Sequence, residues 1–318
     1  MSNAAAVPAA DDPRVSASGG ISASSMSQRS WALFEWARNP YVLLITIYVF
    51  APYFSGHLVG DPVAGQALWG DLSGLGGFFI AILAPFLGAI ADLGGRRKPW
   101  IAGFAFLLAL LTFSLWFAVP GEMILPLWVI GAIIVINNIL FEFTAVFHNA
   151  MLPEICSHKR VGSLSGLGLA LGNLAGLLML LFMLWAFALP GLVDWGFVPS
   201  APLFGLDREA FQTERISGPI TAIWLLVFTL PLLLFTPDRV SSGLPLGRAV
   251  TLGVRRVLKT LRDATHYRNV ATYLIARMFY NDGKTAILTF GGIYAAGTFA
   301  WGPLDMLAYG VTLSIFAV

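Results

Sequence analysis

Residues 88–98 read GAIADLGGRRK. An aspartate closes an apolar stretch, two glycines follow, and three basic residues end the segment. Glycine takes positive φ without a steric cost, so Gly94 and Gly95 allow a tight reversal. Asp92 can pair with Arg96, or cap the amino terminus of a neighbouring helix, where the helix dipole favours an anion. An ordinary basic loop would account for Arg96, Arg97 and Lys98. It would not account for Gly88 and Asp92 four residues apart ahead of Gly95, Arg96 and Arg97, so the segment reads as a specified turn between two helices.

The flanking chain shows what kind of helices these are. Of the 318 residues, 57% are hydrophobic and 11% charged, with mean hydropathy +0.77. Soluble domains carry about 25% charged residues, so this chain cannot coat a globule and lipid must be part of its solvent. Residues 39–60, 72–91, 99–121, 123–141, 161–193 and 216–237 contain no Asp, Glu, Lys or Arg. Each run has the length of about 20 residues that a spanning helix needs. A seventh run covers residues 269–297, and an eighth begins near Leu304 and is still apolar at Val318. The expected architecture is an all-α polytopic bundle of about eight transmembrane helices.

Charge placement orients the bundle. Fifteen of the 19 Lys and Arg fall before the first run, between the second and third, between the fourth and fifth, and between the sixth and seventh. Arg208 and Arg215 lie on the opposite side, beside Asp194, Asp207, Glu209 and Glu214. By the positive-inside rule the amino terminus and the basic loops are cytoplasmic. The net charge of +2 follows from topology and gives no reason to expect a nucleic-acid partner. Residues 1–30 are rich in Ala, Ser and Gly and read as a disordered cytoplasmic tail. They lack the apolar core of a secretory signal. Residues 31–237 form a first six-helix unit, 238–268 a basic linker, and 269–318 the start of a second unit. Within the linker, Val250, Val254, Val257, Leu258 and Leu261 recur at helical spacing, with Arg248, Arg255, Arg256, Lys259 and Arg262 mainly on the other side. This amphipathic helix either lies on an anionic leaflet or packs on the end of the bundle.

The turn at 88–98 resembles the loop-two signature G-x-L-A-D-R-x-G-R-R of the major facilitator superfamily, with Gly88, Asp92, Gly95, Arg96 and Arg97 in its positions and Leu93 replacing a basic residue. Three further stretches narrow the resemblance. WALFEWARNPY (residues 31–41), FHNAMLPEICSHKRVGSLSGLGLALGNLAGLL (147–178) and FYNDG (279–283) resemble motifs of the autophagy-related vacuolar effluxer family, also called the unknown major facilitator family. That family shows a W-A-L-[YF]-[DE]-W-A-N-x-x-Y opening, an N-A-x-L-P-E-I loop, an S-G-x-G-x-A-x-G fifth helix and a Y-N-D-G seventh helix. Glu35 stands where Asp is common, and Arg38, Asn39 and Pro40 depart from the opening. The resemblance runs from residue 31 to the end. It implies twelve helices, of which the last four would lie beyond this chain, and a secondary carrier for a small solute. Yeast members are described as vacuolar amino-acid exporters.

The charged positions inside the apolar runs carry the expected site. Tyr273, Arg277, Asn281 and Lys284 share one face of the seventh run at 100° per residue, and Asp282 points about 140° from Arg277 if the helix is regular. Asn281-Asp282-Gly283 is a turn-like triplet, and local unwinding there would re-aim Asp282. In the fourth run Asn138, Glu142, Ala145 and Asn149 line one face, and Asn137 and Asn173 add neutral polar groups. Charges in lipid face a cavity or a partner. Arg277, Asp282, Lys284 and Glu142, with Asn281, Asn138 and Asn173, are therefore expected along a central pathway. Arg277 or Lys284 would hold a carboxylate, and Glu142 or Asp282 a proton or an amine. A structural ion-pair network is the alternative. Gly168, Gly172 and Gly176 fall at i, i+4, i+8 and read as a close-packing face. Glu35 is expected in the first turn of the first helix, where complementing the dipole explains it at least as well as a gate does. Trp31, Trp36, Trp69, Trp100, Trp128 and Trp195 lie near helix ends, as interfacial belts do.

Other chemistries find no residues. Cys156 is the single cysteine and the four histidines are scattered. No HExxH, GxSxG or GxxxxGK[ST] occurs, so hydrolysis, direct ATP drive, metals and cofactors are not expected. Two readings remain in view, a carrier and a receptor or scaffold on a transporter-like fold. The expected setting is a bacterial cytoplasmic membrane, with lipid and a small solute as partners, possible proton coupling, and a monomeric state.

Overall fold

In a computed structural model of the protein, residues 13–121, 124–240, 243, 246–264, 267–299, 301, 305 and 308–313 are described. Among the described residues, six helices are long and apolar enough to cross a membrane: α1 (Ser25–Leu58), α2 (Pro62–Gly94), α3 (Lys98–Phe117), α4 (Leu127–Ile155), α5 (His158–Ala188) and α6 (Gln212–Phe235). They are followed by α7 (Leu246–Ala264) and α8 (Arg268–Phe299). Of the expected eighth run, residues 308–313 are helical. Among the described residues there is no strand, only an isolated bridge between Val15 and Ile21.

α1 is the hub. It packs on α5 and α6, touches α4, and meets α8 at its outer end. Its approach to α5 is set by glycines. A Cβ at Gly172 would lie 2.8 Å from Asn39 Nδ2 and 3.2 Å from the Glu35 carbonyl oxygen, and one at Gly176 would overlap Leu43. Gly168 faces Glu35 and Trp31. Small side chains bring helix backbones together where lipid offers no hydrophobic drive for association. α1 also departs from α-helical winding. It is π-helical over Val42–Tyr48 and Phe54–Leu58, with a break at Val49 (φ −118°, ψ −67°).

The disordered tail expected over residues 1–30 does not extend across residues 13–30, which are ordered. Ser24 accepts a hydrogen bond from the Ser27 N–H and begins α1 at Ser25. Residues 13–24 lie on the end of α4, where Ala17, Ser18 and Ala23 donate backbone N–H bonds to the carbonyls of Cys156, Pro153 and Ile155 (2.8, 2.9 and 2.9 Å). A helix leaves its last four carbonyls without intrahelical donors, and this segment supplies three. Serine-rich composition concealed the docking because its contacts run through the backbone. Residues 1–12 lie outside the described residues.

The turn at 88–98 is anchored by more than its own residues. Gly95 has φ +87°. Asp238, just beyond α6, accepts the N–H groups of Arg97 (2.9 Å) and Lys98 (3.1 Å) at the start of α3. The Asp92 side chain lies outside the described residues, so the capping observed here is that of Asp238. Arg97 is buried, bonds the Ala150 carbonyl (2.6 Å) and pairs with Glu154 (2.9 Å), which also meets Arg239 (2.7 Å). Arg96 is exposed. Lys98 Nζ reaches the Thr236 carbonyl, and Thr236 Oγ1 the Ser27 carbonyl. The turn thus ties α1, α3, α4 and α6 together at the basic end.

At the opposite end the two arginines close helix termini. Arg208 donates to the carbonyls of Phe187 and Ala188 at the end of α5 and of Pro190 just beyond it. Arg215 donates to Trp116 O and stacks over the Trp116 ring at 4.9 Å. Cations at carboxyl-terminal ends satisfy free carbonyls and the dipole together. α7 packs on α2 through Gly253, where a Cβ would lie 3.3 Å from the Ile90 nitrogen. Arg248, Arg255, Arg256, Lys259 and Arg262 stay exposed. Two of the expected interfacial tryptophans are core residues. Trp31 and Trp69 are buried, whereas Trp128 is 76% exposed.

Gly172→Ala should cost about 1–3 kcal/mol by overpacking against a backbone that cannot retreat. Gly162→Ala, with nothing within 4 Å of the added carbon, should be neutral or slightly stabilising. Thermal unfolding of the two purified variants checks this, and equal melting temperatures would remove the close-packing argument. Cys156 is buried between α4 and α5, and burial pushes its thiol up, partly offset by Arg160. Since the thiolate is the reactive form, iodoacetamide at pH 8 should label it only on unfolding, at least about 100-fold faster in denaturant. Rapid labelling of the folded protein would contradict the buried placement.

Candidate functional site

α8 continues as a helix through Asn281, Asp282 and Gly283. The unwinding that would have re-aimed Asp282 does not occur, so Asp282 and Arg277 stay on different faces. Arg277, Asn281, Asp282 and Lys284 are all exposed. α8 touches the other helices mainly near its far end, where Phe290 meets Gly70 and Ala295 is buried.

The residues expected from α4 and α5 part company. Glu142 and Asn149 are exposed on α4. Asn138 is half-buried against Gly76 of α2. Asn137 is buried and donates to Thr112 Oγ1 of α3 at 3.2 Å. Asn173 faces α1, accepting from Asn39 Nδ2 at 3.4 Å. Among the described residues, no ion pair or hydrogen bond joins Glu142, Arg277, Asp282 and Lys284 to one another or to any other side chain. The expected pathway residues therefore form an exposed polar set carried by α4 and α8, with Asn138 and Asn173 held in helix contacts.

A second polar cluster is buried between α1 and α4. Glu35 lies about ten residues inside α1 rather than in its first turn, beyond the reach of the helix dipole. Arg38 Nη1 lies 3.2 Å from Glu35 Oε1. Its Nη2 donates to the Phe141 carbonyl at 3.2 Å, and its guanidinium sits 4.0 Å over the Phe141 ring. Arg38 is 7% exposed and His148 0%. The His148 ring stacks on Trp31 at 4.2 Å and abuts Phe34 at 4.8 Å. Trp31 and His148 are tied twice. Trp31 Nε1 donates to the His148 carbonyl at 2.9 Å, and His148 Nε2 lies 2.8 Å from the Trp31 carbonyl. A carbonyl oxygen only accepts, so Nε2 carries a hydrogen. The other ring nitrogen, Nδ1, faces Glu35 Oε1 at 3.4 Å without hydrogen-bond alignment and has no other partner.

Sequence reasoning took these three residues singly: Glu35 for the dipole, Arg38 for the basic loop side, His148 as scattered. Two signals were available. Trp31, Glu35, Arg38 and Asn39 occupy i, i+4, i+7 and i+8 of one helix face. His148 lies inside the same motif stretch, FHNAMLPEI, that carries the family resemblance.

Comparison with known proteins agrees with this architecture. Residues 57–318 match the sequence profile of the vacuole effluxer Atg22-like family. The uncharacterized MFS-type transporter YxiO of Bacillus subtilis (strain 168) is 25% identical over 272 residues, covering 85% of this chain and 60% of its own length. Autophagy-related protein 22 of Yarrowia lipolytica (strain CLIB 122 / E 150) is 23% identical over 175 residues, 49% of this chain and 27% of the relative. The chain thus spans about three fifths of the length of the first of these relatives. A crystal structure of the D-xylose-proton symporter superposes with TM-score 0.53 at 13% identity, covering 91% of this chain and 65% of the symporter. A partially occluded, inward-open structure of the xylose transporter XylE from E. coli gives 0.58 at 14% identity, with 91% and 69% covered. At such identities the structures establish the fold alone. The turn at 88–98, the multi-pass helical bundle and the profile match place the chain in one group: it belongs to the vacuole effluxer Atg22-like family and has the major-facilitator fold.

Proposed function

We propose that this protein is a secondary transporter that moves a small zwitterionic solute, an amino acid in the first instance, outward across a bacterial cytoplasmic membrane by alternating access. The observation that carries the reading is the set of unpaired charges in otherwise apolar helices, Glu142 on α4 and Arg277, Asp282 and Lys284 on α8. Each charge left in hydrocarbon costs about 2.5–3.5 kcal/mol on the insertion scale, so four would cost about 10 kcal/mol. That is comparable to the whole stability of a domain. Such a set persists where it faces water, a partner or a solute. Both signs are present, which suits a ligand carrying an amine and a carboxylate.

In this reading Arg277 or Lys284 receives the carboxylate, and Asp282 or Glu142 holds the amine or a proton. Asn281 supports them from α8. The basic end, tied together by Arg97, Glu154 and Asp238, faces the cytoplasm. It is the stable latch of the first unit while the two units rock. The family membership and the relative described as an MFS-type transporter support the transporter class. The residue roles rest on the charge arrangement.

Proteoliposomes made from the full gene product, loaded with a labelled amino-acid mixture under an inside-acid gradient, test the reading. Gradient-stimulated efflux is expected from the wild type. Asp282→Asn should reduce it at least about tenfold with unchanged insertion, and Arg277→Gln should weaken apparent substrate affinity by about 10–100-fold, as loss of a charged hydrogen bond does. Absence of wild-type flux for every amino acid offered would remove amino acids as the substrate. Wild-type flux from Asp282→Asn would take that residue out of the pathway.

A further inference from the structure

We propose that α7 seats on an anionic lipid leaflet, with an apolar edge among the acyl chains and its row of basic side chains on the headgroup phosphates. The winding of the helix places its residues in a telling order. Measured from Gly253, which meets α2, Val250, Val254 and Leu258 lie at about 60°, 100° and 140°. Arg262, Arg255, Arg248 and Lys259 follow at about 180°, 200°, 220° and 240°. Leu252 and Asp263 come next, at about 260° and 280°. The contact with α2 covers only part of the apolar arc. Gly253 is buried against Ala89 and Ile90, and Val254 and Val257 are half-buried. Val250 stays 38% exposed and Leu258 56%. Around the helix the order is therefore bundle, uncovered apolar edge, basic row, polar side. Hydrocarbon, headgroups and water follow one another in the same order at a membrane surface.

Depth and charge agree with that order. Gly253 crosses α2 at Ile90, and α2 ends at Gly94. At 1.5 Å per residue the crossing lies about 6 Å inside the end of α2. Interfacial helices bury their apolar face about 5–10 Å into the boundary between headgroups and acyl chains. α7 carries five basic residues against one acidic residue, Asp263. Among the described residues, no carboxylate pairs with Arg248, Arg255, Arg256 or Lys259. Arg96, which follows the same end of α2, is exposed as well. Long basic side chains lay their stems along apolar surface and extend their charge to the headgroups. α8 starts at Arg268, shortly after α7 ends at Ala264, so a leaflet that holds α7 also fixes where the second unit begins.

The apolar edge decides between a leaflet and a soluble partner. A soluble polyanion would satisfy the arginines and leave Val250 and Leu258 in water. A leaflet satisfies both, because its phosphates and its acyl chains are adjacent. Attraction to anionic headgroups fades within a Debye length, and the contact of Gly253 with α2 holds the basic row at that range.

Fluorescence of the protein in lipid nanodiscs tests the placement without transport, so its failure leaves the carrier reading standing. In a Cys156→Ser background, an environment-sensitive fluorophore is attached at Leu258→Cys or, as the water-side control, at Leu252→Cys. In discs of equal phosphatidylcholine and phosphatidylglycerol, the label at position 258 should be about tenfold less accessible to acrylamide than the label at 252, as for a side chain in the acyl region. Discs of phosphatidylcholine alone should make the two labels similarly accessible. So should the combined Arg248→Gln, Arg255→Gln and Lys259→Gln variant in anionic discs, where each lost charge weakens attraction to the surface about fivefold. If that variant does not insert, the two lipid compositions carry the test with the basic row intact. Equal accessibility of both labels in anionic discs overturns the proposal and turns this face towards a soluble partner. Shielding of position 258 that is the same in both lipids overturns it too, and assigns the cover to the protein's own helices or to apolar insertion without headgroup charge.

Discussion

The close backbone approach of α1 to α5 is the constraint on which the rest of this bundle depends. Gly172 and Gly176 remove the side chains that would hold the helices apart. With no hydrophobic drive between helices in lipid, dispersion contacts and interhelical hydrogen bonds must hold the pair. That proximity places Asn39 on Asn173 and leaves Glu35 facing Arg38 and His148 instead of lipid. A bulkier α5 would displace α1, and with it the junctions to α4 and α6.

The two ends of the bundle solve a common problem by different means. Backbone groups at helix termini have no partners within the helix, and water is scarce nearby. At the basic end the donors and acceptors come from distant chain segments: residues 17–23 on α4, Asp238 on α3, Thr236 on α1. At the opposite end two arginines carry much of this work, on the carbonyls that close α5 and α3. The basic end is therefore a woven junction that joins α1, α3, α4 and α6. Several partners of the Gly88–Lys98 turn therefore lie far from it in sequence.

Much of this was legible from the chain. The apolar runs announce α1 to α6 because lipid leaves little tolerance for polar residues, and the glycines at i, i+4, i+8 announce the close face. What escaped had specific causes. The start of α1 at Ser25 was hidden by a polar sequence whose stability comes from docking on α4. Trp31 and Trp69 looked interfacial by position, yet position along a helix does not reveal which side meets a neighbour. The Glu35–Arg38–His148 cluster joins residues more than 100 positions apart, and that pairing is set by tertiary contact. Asn281-Asp282-Gly283 looked like a break from local propensity, but continuous helix on both sides overrides it.

The two π-helical stretches of α1 have a geometric effect of their own. Each π turn closes on the fifth residue instead of the fourth, which adds about one residue to the winding and rotates everything beyond it by about 100°. The half of α1 that holds Trp31, Glu35 and Asn39 obeys one helical phase, and the half that holds Tyr53 and His57 obeys another. This explains why the far half turns towards other partners, with Tyr53 donating to the Ala118 carbonyl and His57 lying 4.2 Å from Phe211. A single apolar run of sequence thus provides two independently aimed surfaces, and no single wheel projection of this segment can show both.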